Sequence, residues 1–446
     1  MDHAWPLAML ALLFVGIFAG YPVAFVLAGT GVAFTFLADI PLLFLSLGVS
    51  RIYSGTLTNW LLIAVPLFVF MGLMLERSGV AARLLRSMAG LFGPLPGGYA
   101  VAVTLIGVIM AASTGIIGAS VVLMGLLALP AMLANGYDAR VSTGLIAASG
   151  TLGILLPPSI MLIILGDTLR ISVGDLFMGA VFPGLLLAGL YLAYIVVLGL
   201  LRPRLMPPLP RGDSVGLGRR LADLARDLLA PLALIVTVLG SIIAGIATPT
   251  ESAALGAVGA LVLALAAPDM SWRSFADALR ESTKTSAMII FVMIGATIFS
   301  VVFKRLGGDG LIESLLGGDD AGPYQVLFMI MLLVFVLGMF LEWVEITLVV
   351  LPLVAPVIAG LDFGMTESQT MLWFAVLFAV NLQTSFLTPP FGYALFYIRG
   401  IAPEGVTIGD IYRGIVPFVA IQLAALGLAI AFPQIVTWLP ERLLVH

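Results

Sequence analysis

Residues 150–159 read Gly-Thr-Leu-Gly-Ile-Leu-Leu-Pro-Pro-Ser, and residues 382–391 read Leu-Gln-Thr-Ser-Phe-Leu-Thr-Pro-Pro-Phe, at an offset of 232 positions. Each Pro-Pro pair interrupts an apolar segment, because proline removes a backbone donor and keeps the residue before it out of helical geometry. Farther upstream, the Gly-Tyr-Pro at 20–22 is matched by the Thr-Pro at 248–249, at an offset of 227. The chain is therefore predicted to contain two structural repeats, each with one broken helix.

The composition predicts a polytopic, all-α membrane protein. Hydrophobic residues make up 61% of the 446 positions, charged residues only 10%, and the mean hydropathy is +1.18. Soluble domains carry about 25% charged residues. There is no cysteine, and the two histidines, His3 and His446, lie at the chain ends, so thiolate and histidine metal sites are excluded from the interior. We expect no enzymatic activity and no cofactor, and the net charge of −4 gives no reason to expect nucleic acid as a partner.

The chain divides into two halves joined by a basic linker. The linker contains six arginines and two aspartates, and the positive-inside rule places it in the cytoplasm. Two apolar stretches are interrupted by small or polar residues and are predicted to be re-entrant hairpins, which a membrane protein tolerates where protein buries the backbone. The predicted boundaries are a first half at 1–201 with its hairpin at about 113–135 and its broken helix at about 143–165, the linker at 202–226, and a second half at 227–446 with its hairpin at about 341–360 and its broken helix at about 372–398.

Counting the predicted spans, which include 97–112, 284–304 and 322–340, leaves two inconsistencies. Six spans separate equivalent points of the two halves, which makes the repeats parallel, and the arginines at 77, 83 and 86 fall on the outer side, against the positive-inside rule. Both problems disappear if one segment between 97 and 226 is misassigned, and the sequence does not identify which one.

The two helix breaks are the predicted binding region. A break exposes carbonyl groups on one half-helix and N–H groups on the other, so carbonyl and hydroxyl oxygens can bind a sodium ion while half-helix N-termini attract a carboxylate. The alternative is that proline and small polar residues only kink these helices. The predicted substrate ligands near the breaks are Ser149, Thr151, Asn381, Gln383, Thr384 and Ser385, and the predicted sodium ligands are Gly153, Pro157, Thr388, Pro389 and Gly392.

The first hairpin begins with Ala-Ala-Ser-Thr-Gly-Ile-Ile-Gly-Ala-Ser at 111–120. Its glycines permit close backbone approach, and its hydroxyls can bind a ligand. We predict Ser113 and Thr114 as substrate ligands and Gly115 and Gly118 as part of the sodium site. The alternative is that these small residues serve only helix packing.

The second hairpin carries two carboxylates, Glu342 and Glu345, inside an apolar stretch. Carboxylates at membrane depth are costly unless they are paired, protonated or bound to a cation, so both are predicted sodium ligands, Glu342 before Glu345. Glu345 has an equally weighted alternative, a structural hydrogen bond. For Glu251, which follows Thr248-Pro249, a helix cap is favoured over substrate contact.

These motifs resemble the large membrane subunit of tripartite ATP-independent periplasmic (TRAP) transporters over nearly the whole chain. Two of the motifs are similar to sequences of the branch labelled for mannitol and chloroaromatic compounds, namely Asn381 to Pro390 and the Ala-Ala-Ser-Thr-Gly at 111–115. The known substrates of that branch include 2-oxo acids and lactate. Many relatives carry aspartate where this chain has Glu342. The other motifs that carry the resemblance are Gly136-Tyr137-Asp138, the run from Ala147 to Ser159, Ala247 to Glu251, and Leu387 to Gly392.

The resemblance implies a fold of the ion-transporter superfamily, with two opposed hairpins and an elevator motion. It also implies sodium-driven uptake in the bacterial inner membrane, a small four-helix membrane subunit as a partner, and a soluble periplasmic substrate-binding protein that delivers a small organic acid. Because no Lys or Arg lies in either predicted hairpin or beside either Pro-Pro pair, a 2-oxo or 2-hydroxy monocarboxylate is favoured over a dicarboxylate. The alternatives are a stand-alone sodium/carboxylate symporter and, far less favoured, an intramembrane enzyme that uses the two glutamates.

Overall fold

The computed structural model describes residues 3–114, 117–209, 216–267, 270–316, 321–390 and 392–443. Within these ranges the chain is helical, with no β-strand, which confirms the predicted all-α fold. Six of the described helices are long and apolar enough to cross a membrane, and these are Trp60–Arg77, Ile117–Ala134, Val173–Leu201, Leu217–Ile243, Trp272–Arg305 and Ile408–Ala431.

The first half forms ten α-helices among the described residues. In chain order they are α1 (Ala4–Phe18), α2 (Val23–Leu37), α3 (Leu43–Ile52), α4 (Ala64–Arg77), α5 (Val80–Phe92), α6 (Gly98–Thr114), α7 (Ile117–Ala134), α8 (Ala139–Thr151), α9 (Ile160–Leu169) and α10 (Val173–Leu201). A π-helix (Tyr53–Leu57) and a 3₁₀-helix (Trp60–Ile63) lead into α4, and a second 3₁₀-helix (Leu152–Ile154) follows α8.

The second half forms eleven α-helices among the described residues. They are α11 (Leu217–Ile243), α12 (Pro249–Leu265), α13 (Trp272–Arg305), α14 (Gly308–Leu315), α15 (Pro323–Gly338), α16 (Trp343–Val349), α17 (Leu351–Ala359), α18 (Glu367–Ser385), α19 (Tyr393–Ile401), α20 (Ile408–Ala431) and α21 (Gln434–Leu443).

Two groups of helices can be distinguished by their packing. In the first, which we name the α13 cluster, α2, α3 and α4 pack on α13 and α12 packs on α4. In the second, the broken-helix cluster, α8 packs against α6, α7 and α20, α18 packs against α9, α15 and α20, α19 packs on α7, and α16 packs on α9. The clusters meet where α13 contacts α16 and where α4 contacts α6 and α9. A side-chain hydrogen bond also joins the segment before α4 to α9, since the side-chain amide of Asn59 donates to the carboxylate of Asp167 at 2.6 Å.

Both predicted helix breaks are confirmed. The helix α8 ends at Thr151 and α9 begins at Ile160, while α18 ends at Ser385 and α19 begins at Tyr393. The Pro-Pro pair lies between the two half-helices in each case, and both Pro-Pro bonds are cis. An offset of 232 also places α9 on α19 and α10 on α20, so the repeat extends beyond the motif that revealed it.

The predicted bounds of both hairpins are wrong, because each predicted segment contains only one arm. In the first hairpin the arms are α6 and α7, which pack together although only two residues separate them. In the second they are α15 on one side and α16 with α17 on the other. The sequence assigned α6 and α15 to ordinary spans because each is an apolar run of about the right length.

Treating α6 as a hairpin arm removes one crossing and resolves the inconsistent count of spans. Five crossings then separate equivalent points of the two halves. Because five is an odd number, the two repeats have opposite orientations in the membrane, which is the common arrangement in secondary transporters. The geometry agrees, because Arg83 and Arg86 of α5 line the same cavity as Arg220 and Arg226 of α11. These arginines therefore lie on one side of the protein, as the positive-inside rule requires.

Candidate functional site

A cavity of about 450 Å³ separates the α13 cluster from the broken-helix cluster. Its walls come from α4 and α13 on one side and from α7, α9, α16 and α19 on the other. The lining therefore includes the start of the second arm of each hairpin, α7 and α16. It also includes the start of the second half of each broken helix, α9 and α19. Its charged and hydroxyl-bearing residues are Glu76, Arg77, Glu281, Thr285, Glu342, Tyr393 and Tyr397.

The first hairpin closes on the second broken helix at Gly118. A Cβ atom added to Gly118 would lie 2.7 Å from Cζ and 2.9 Å from the hydroxyl oxygen of Tyr397. Glycine permits this approach without displacing the Tyr397 ring, so the close packing at Gly118 has a steric basis. Its predicted part in a sodium site stays a prediction. Gly115 lies outside the described residues, as do the side chains of Ser113 and Thr114.

The two repeats touch at residues that the sequence offset makes equivalent. The side-chain amide of Gln383 donates to the hydroxyl of Thr151 at 3.4 Å, and the two positions are 232 residues apart. Both side chains are fully buried. A contact between equivalent residues lies on the axis that relates the repeats, so these predicted ligands mark the centre of the internal symmetry. The side-chain oxygen of Gln383 is buried without a hydrogen-bond partner among the described residues.

Most predicted hydroxyl ligands donate to a carbonyl of their own helix. Ser149 donates to Leu145, Thr151 to Ala148, Thr384 to Val380, Ser385 to Leu382 and Thr388 to Thr384, at 2.7 to 2.9 Å. None of these five hydroxyl residues is among those that line the cavity. These hydroxyls therefore lie outside the cavity lining, and their role as substrate or ion ligands stays a prediction.

Asn381 joins the second broken helix to the second hairpin. Its side-chain amide donates to the carbonyl of Met331 in α15 at 2.6 Å, and the side chain is almost fully buried. Gly338, at the end of α15, packs on the same helix, because an added Cβ would lie only 2.0 Å from the hydroxyl oxygen of Ser385. The first arm of the hairpin is therefore positioned directly by α18.

Backbone carbonyls gather around both breaks. Gly392 lies so close to the carbonyl oxygens of Phe386 and Thr388 that an added Cβ would be 2.6 and 2.9 Å from them. In the first half, a Cβ on Gly153 would be 3.4 Å from the carbonyl oxygen of Ala111. Carbonyl oxygens are suitable ligands for a hard cation. Among the described residues there is no cluster of three or more His, Cys, Asp or Glu side chains that could hold a metal ion.

The two hairpin glutamates form a capping box at the start of α16. Glu342 precedes α16 and lines the cavity. The Glu345 carboxylate accepts a hydrogen bond from the backbone N–H of Glu342 at 3.1 Å, which is the structural alternative that the sequence left open. Its role as a sodium ligand stays a prediction. Glu251 likewise forms a capping box with Thr248, with bonds of 2.8 to 3.3 Å, as the favoured alternative predicted.

Sequence reasoning missed the residues that line the cavity from the α13 cluster. Glu76 and Arg77 end an apolar helix and resemble an ordinary interfacial terminus, while Glu281 lies in a part of α13 that precedes the predicted span. One oxygen of Glu76 is buried with no hydrogen-bond partner among the described residues. Tyr393 and Tyr397 carried a readable signal, since residues four positions apart after a Pro-Pro break share one helix face.

Comparison with known proteins gives consistent matches over nearly the full length. A family model described as "Tripartite ATP-independent periplasmic transporter, DctM component" matches residues 10–435. A C4-dicarboxylate TRAP transporter large permease protein DctM from Pseudomonas aeruginosa is 32% identical over 389 residues, which cover 87% of this chain and 88% of the relative. The sialic acid TRAP transporter large permease protein SiaM from Vibrio cholerae is 28% identical over 434 residues, 96% of each chain.

Among solved structures, the crystal structure of the YdaH transporter from Alcanivorax borkumensis superposes with a TM-score of 0.58. The match covers 86% of this chain and 88% of that one, at 15% sequence identity. At this identity the match shows a shared fold and no more.

Proposed function

The chain belongs to the DctM family of tripartite ATP-independent periplasmic transporters, and from this premise we propose that it is the permease subunit that carries a small organic acid across the inner membrane. We further propose that sodium drives uptake and that a periplasmic binding protein delivers the substrate. A small four-helix membrane subunit completes the assembly.

The observation that carries this proposal is the cavity between the two clusters. Parts of both hairpins and of both broken helices line it, and the repeats meet behind it at Thr151 and Gln383. Inverted repeats with discontinuous helices form substrate and ion sites in secondary transporters, and alternating access moves one group of helices against the other. In the elevator motion that we propose, the broken-helix cluster moves against the α13 cluster.

Sodium coupling is supported by the kinds of oxygen atoms near the breaks. Carbonyl oxygens of Phe386 and Thr388 lie beside Gly392, and the carboxylate of Glu342 lies at the cavity wall. Oxygen ligands of this kind suit a hard monovalent cation, and a nearby carboxylate supplies the negative charge that attracts it. In this proposal Glu342 holds sodium, and Glu345 positions it through the backbone bond.

The charge of the cavity favours a monocarboxylate. Among the described residues that line it, there are three carboxylates, those of Glu76, Glu281 and Glu342, and one guanidinium group, that of Arg77. A dianion would meet more repulsion than a monoanion, so a 2-oxo or 2-hydroxy monocarboxylate is our proposed substrate class, as in the mannitol and chloroaromatic branch. Relatives are named for C4-dicarboxylates, sialic acid and ectoine, so members of this family differ in substrate.

Reconstitution tests the proposal. The chain is inserted into proteoliposomes with its small membrane subunit, and uptake of labelled pyruvate and lactate is measured with and without the cognate binding protein. We expect uptake only when binding protein and an inward sodium gradient are both present, and no effect of ATP. Robust sodium-driven uptake without binding protein would instead favour the stand-alone symporter. Tight binding of succinate or fumarate by the binding protein would overturn the choice of substrate class.

A further inference from the structure

A second cavity, of about 980 Å³, lies away from the transport cavity between α5, α11 and the end of α12. Four arginines line it, Arg83 and Arg86 from α5 and Arg220 and Arg226 from α11. Because these residues belong to the arginine-rich side of the protein, the cavity is placed at the cytoplasmic surface of the membrane.

The cavity has uncommitted positive charge. It contains two carboxylates, and that of Asp227 accepts a hydrogen bond from the hydroxyl of Ser87. The guanidinium group of Arg220 donates to the carbonyl of Gly90 at 2.9 Å and so fastens α11 to α5. Arg86 and Arg226 are exposed and make no hydrogen bond or ion pair with any residue that the structure describes. Two guanidinium groups thus remain available for an anion.

The rest of the cavity wall is apolar and adjoins the surface that faces the bilayer. The apolar wall includes Pro231 from α11 and Leu263 and Ala266 from α12. Next to these residues, Leu232 and Leu265 are exposed large hydrophobic side chains, 44% and 68% accessible. An elongated ligand with an anionic end and an apolar body fits this combination of basic and apolar walls.

We propose that this cavity binds an anionic phospholipid of the cytoplasmic leaflet, with its headgroup phosphate at Arg86 and Arg226 and its acyl chains along α11 and α12. Guanidinium groups pair with phosphate through two parallel hydrogen bonds. Basic pockets between membrane helices on the cytoplasmic side recognise acidic headgroups in the same way. The lipid would hold α5, which connects α4 to the first hairpin, against α11.

The test uses the full chain, purified with its small membrane subunit, stripped of lipid and examined by native mass spectrometry. Phosphatidylglycerol is the probe, phosphatidylethanolamine is the zwitterionic control, and inorganic phosphate is the soluble competitor. The double variant Arg86→Gln/Arg226→Gln removes both available guanidinium groups. Arg219→Gln is the matched control, because Arg219 is an exposed arginine of α11 that does not line the cavity.

We expect the wild-type complex to retain phosphatidylglycerol and to bind the zwitterionic lipid far more weakly. The double variant should bind phosphatidylglycerol at least about tenfold more weakly than the wild type, whereas the affinity of the control variant should stay within about twofold of wild type. The affinity of Arg86→Lys/Arg226→Lys should lie between these two. Unfolding temperatures measured in phosphatidylethanolamine should be unchanged, which separates lost binding from misfolding.

Three results would overturn the proposal. Equal losses in the double variant and the Arg219→Gln control would show only diffuse surface attraction. Displacement of the lipid by millimolar inorganic phosphate would assign the cavity to a soluble anion. Binding of phosphatidylglycerol to the chain alone, but not to its complex with the small subunit, would show that the subunit covers the cavity.

Discussion

Replacing Gly338 by alanine should push the first arm of the second hairpin away from the broken helix behind it. The added methyl group would lie 2.0 Å from the hydroxyl oxygen and 2.7 Å from Cβ of Ser385, whereas ordinary contacts begin at 3.4 Å. The hydroxyl can rotate away but Cβ cannot, so the two helices would still have to separate by about 0.7 Å. Overpacking of this kind costs about 1–3 kcal/mol. We expect a lower unfolding temperature in detergent and a reduced initial rate of uptake.

A second substitution tests whether this contact is the cause. Ser385→Gly removes both atoms in the clash, and its lost hydroxyl donates only to the carbonyl of Leu382 in the same helix. Combined with Gly338→Ala it should restore much of the lost stability, with a coupling of about 1–2 kcal/mol between the two substitutions. Gly189→Ala is the matched control, because no atom lies within 4 Å of the added methyl group and α10 should tolerate it.

A Gly338→Ala variant that unfolds and transports like the wild type would refute the steric role of this contact. Simple additivity of the two substitutions would also refute it, because the loss would then have no connection with Ser385. Reduced stability in the Gly189→Ala control would point to a general intolerance of alanine at helix glycines.

Three further predictions follow from the described contacts. Glu342→Gln should leave insertion intact but raise the half-saturating sodium concentration at least about tenfold in uptake assays, since unit charges 4 Å apart attract by about 4 kcal/mol at an effective dielectric constant of 20. Glu342→Asp should have a milder effect. Unchanged sodium dependence in a folded Glu342→Gln variant would reject the role assigned to Glu342. Asn381→Ala removes the bond to Met331 and should lower the free energy of unfolding by about 0.5–1.5 kcal/mol, so unaltered thermal unfolding would contradict that bond. Thr248→Ala removes the cap of α12 and should lower the unfolding temperature slightly while uptake stays near wild type; a large loss of uptake in the folded variant would contradict a purely structural cap.

The helix breaks could be predicted because their signals are local. Single prolines such as Pro183 and Pro231 lie within α10 and α11, but each Pro-Pro pair removes two consecutive backbone donors and interrupts its helix. The repeated motif also established the correspondence of the two halves. Thr151 and Gln383 are equivalent by that offset and contact each other in the structure. Only the three-dimensional packing could reveal that these two positions touch.

The hairpin arms could not be recognised, for a physical reason. An apolar helix such as α6, with 17 residues, has the length of a membrane crossing whether it crosses or turns back. What makes it a hairpin arm is its packing against α7, which no single-segment property encodes. The contribution of Glu76 and Glu281 to the cavity was equally hidden. Glu76 lies at the end of α4 and Glu281 in the N-terminal part of α13, and both face the site only through the packing of the two clusters.

The most direct test of the proposed coupling follows radioactive sodium and labelled substrate in the same proteoliposomes, with binding protein outside. The account predicts that substrate entry carries sodium with it, that the two fluxes require each other, and that Glu342→Gln reduces both together. Substrate uptake driven equally well by a proton gradient in sodium-free buffer would contradict it.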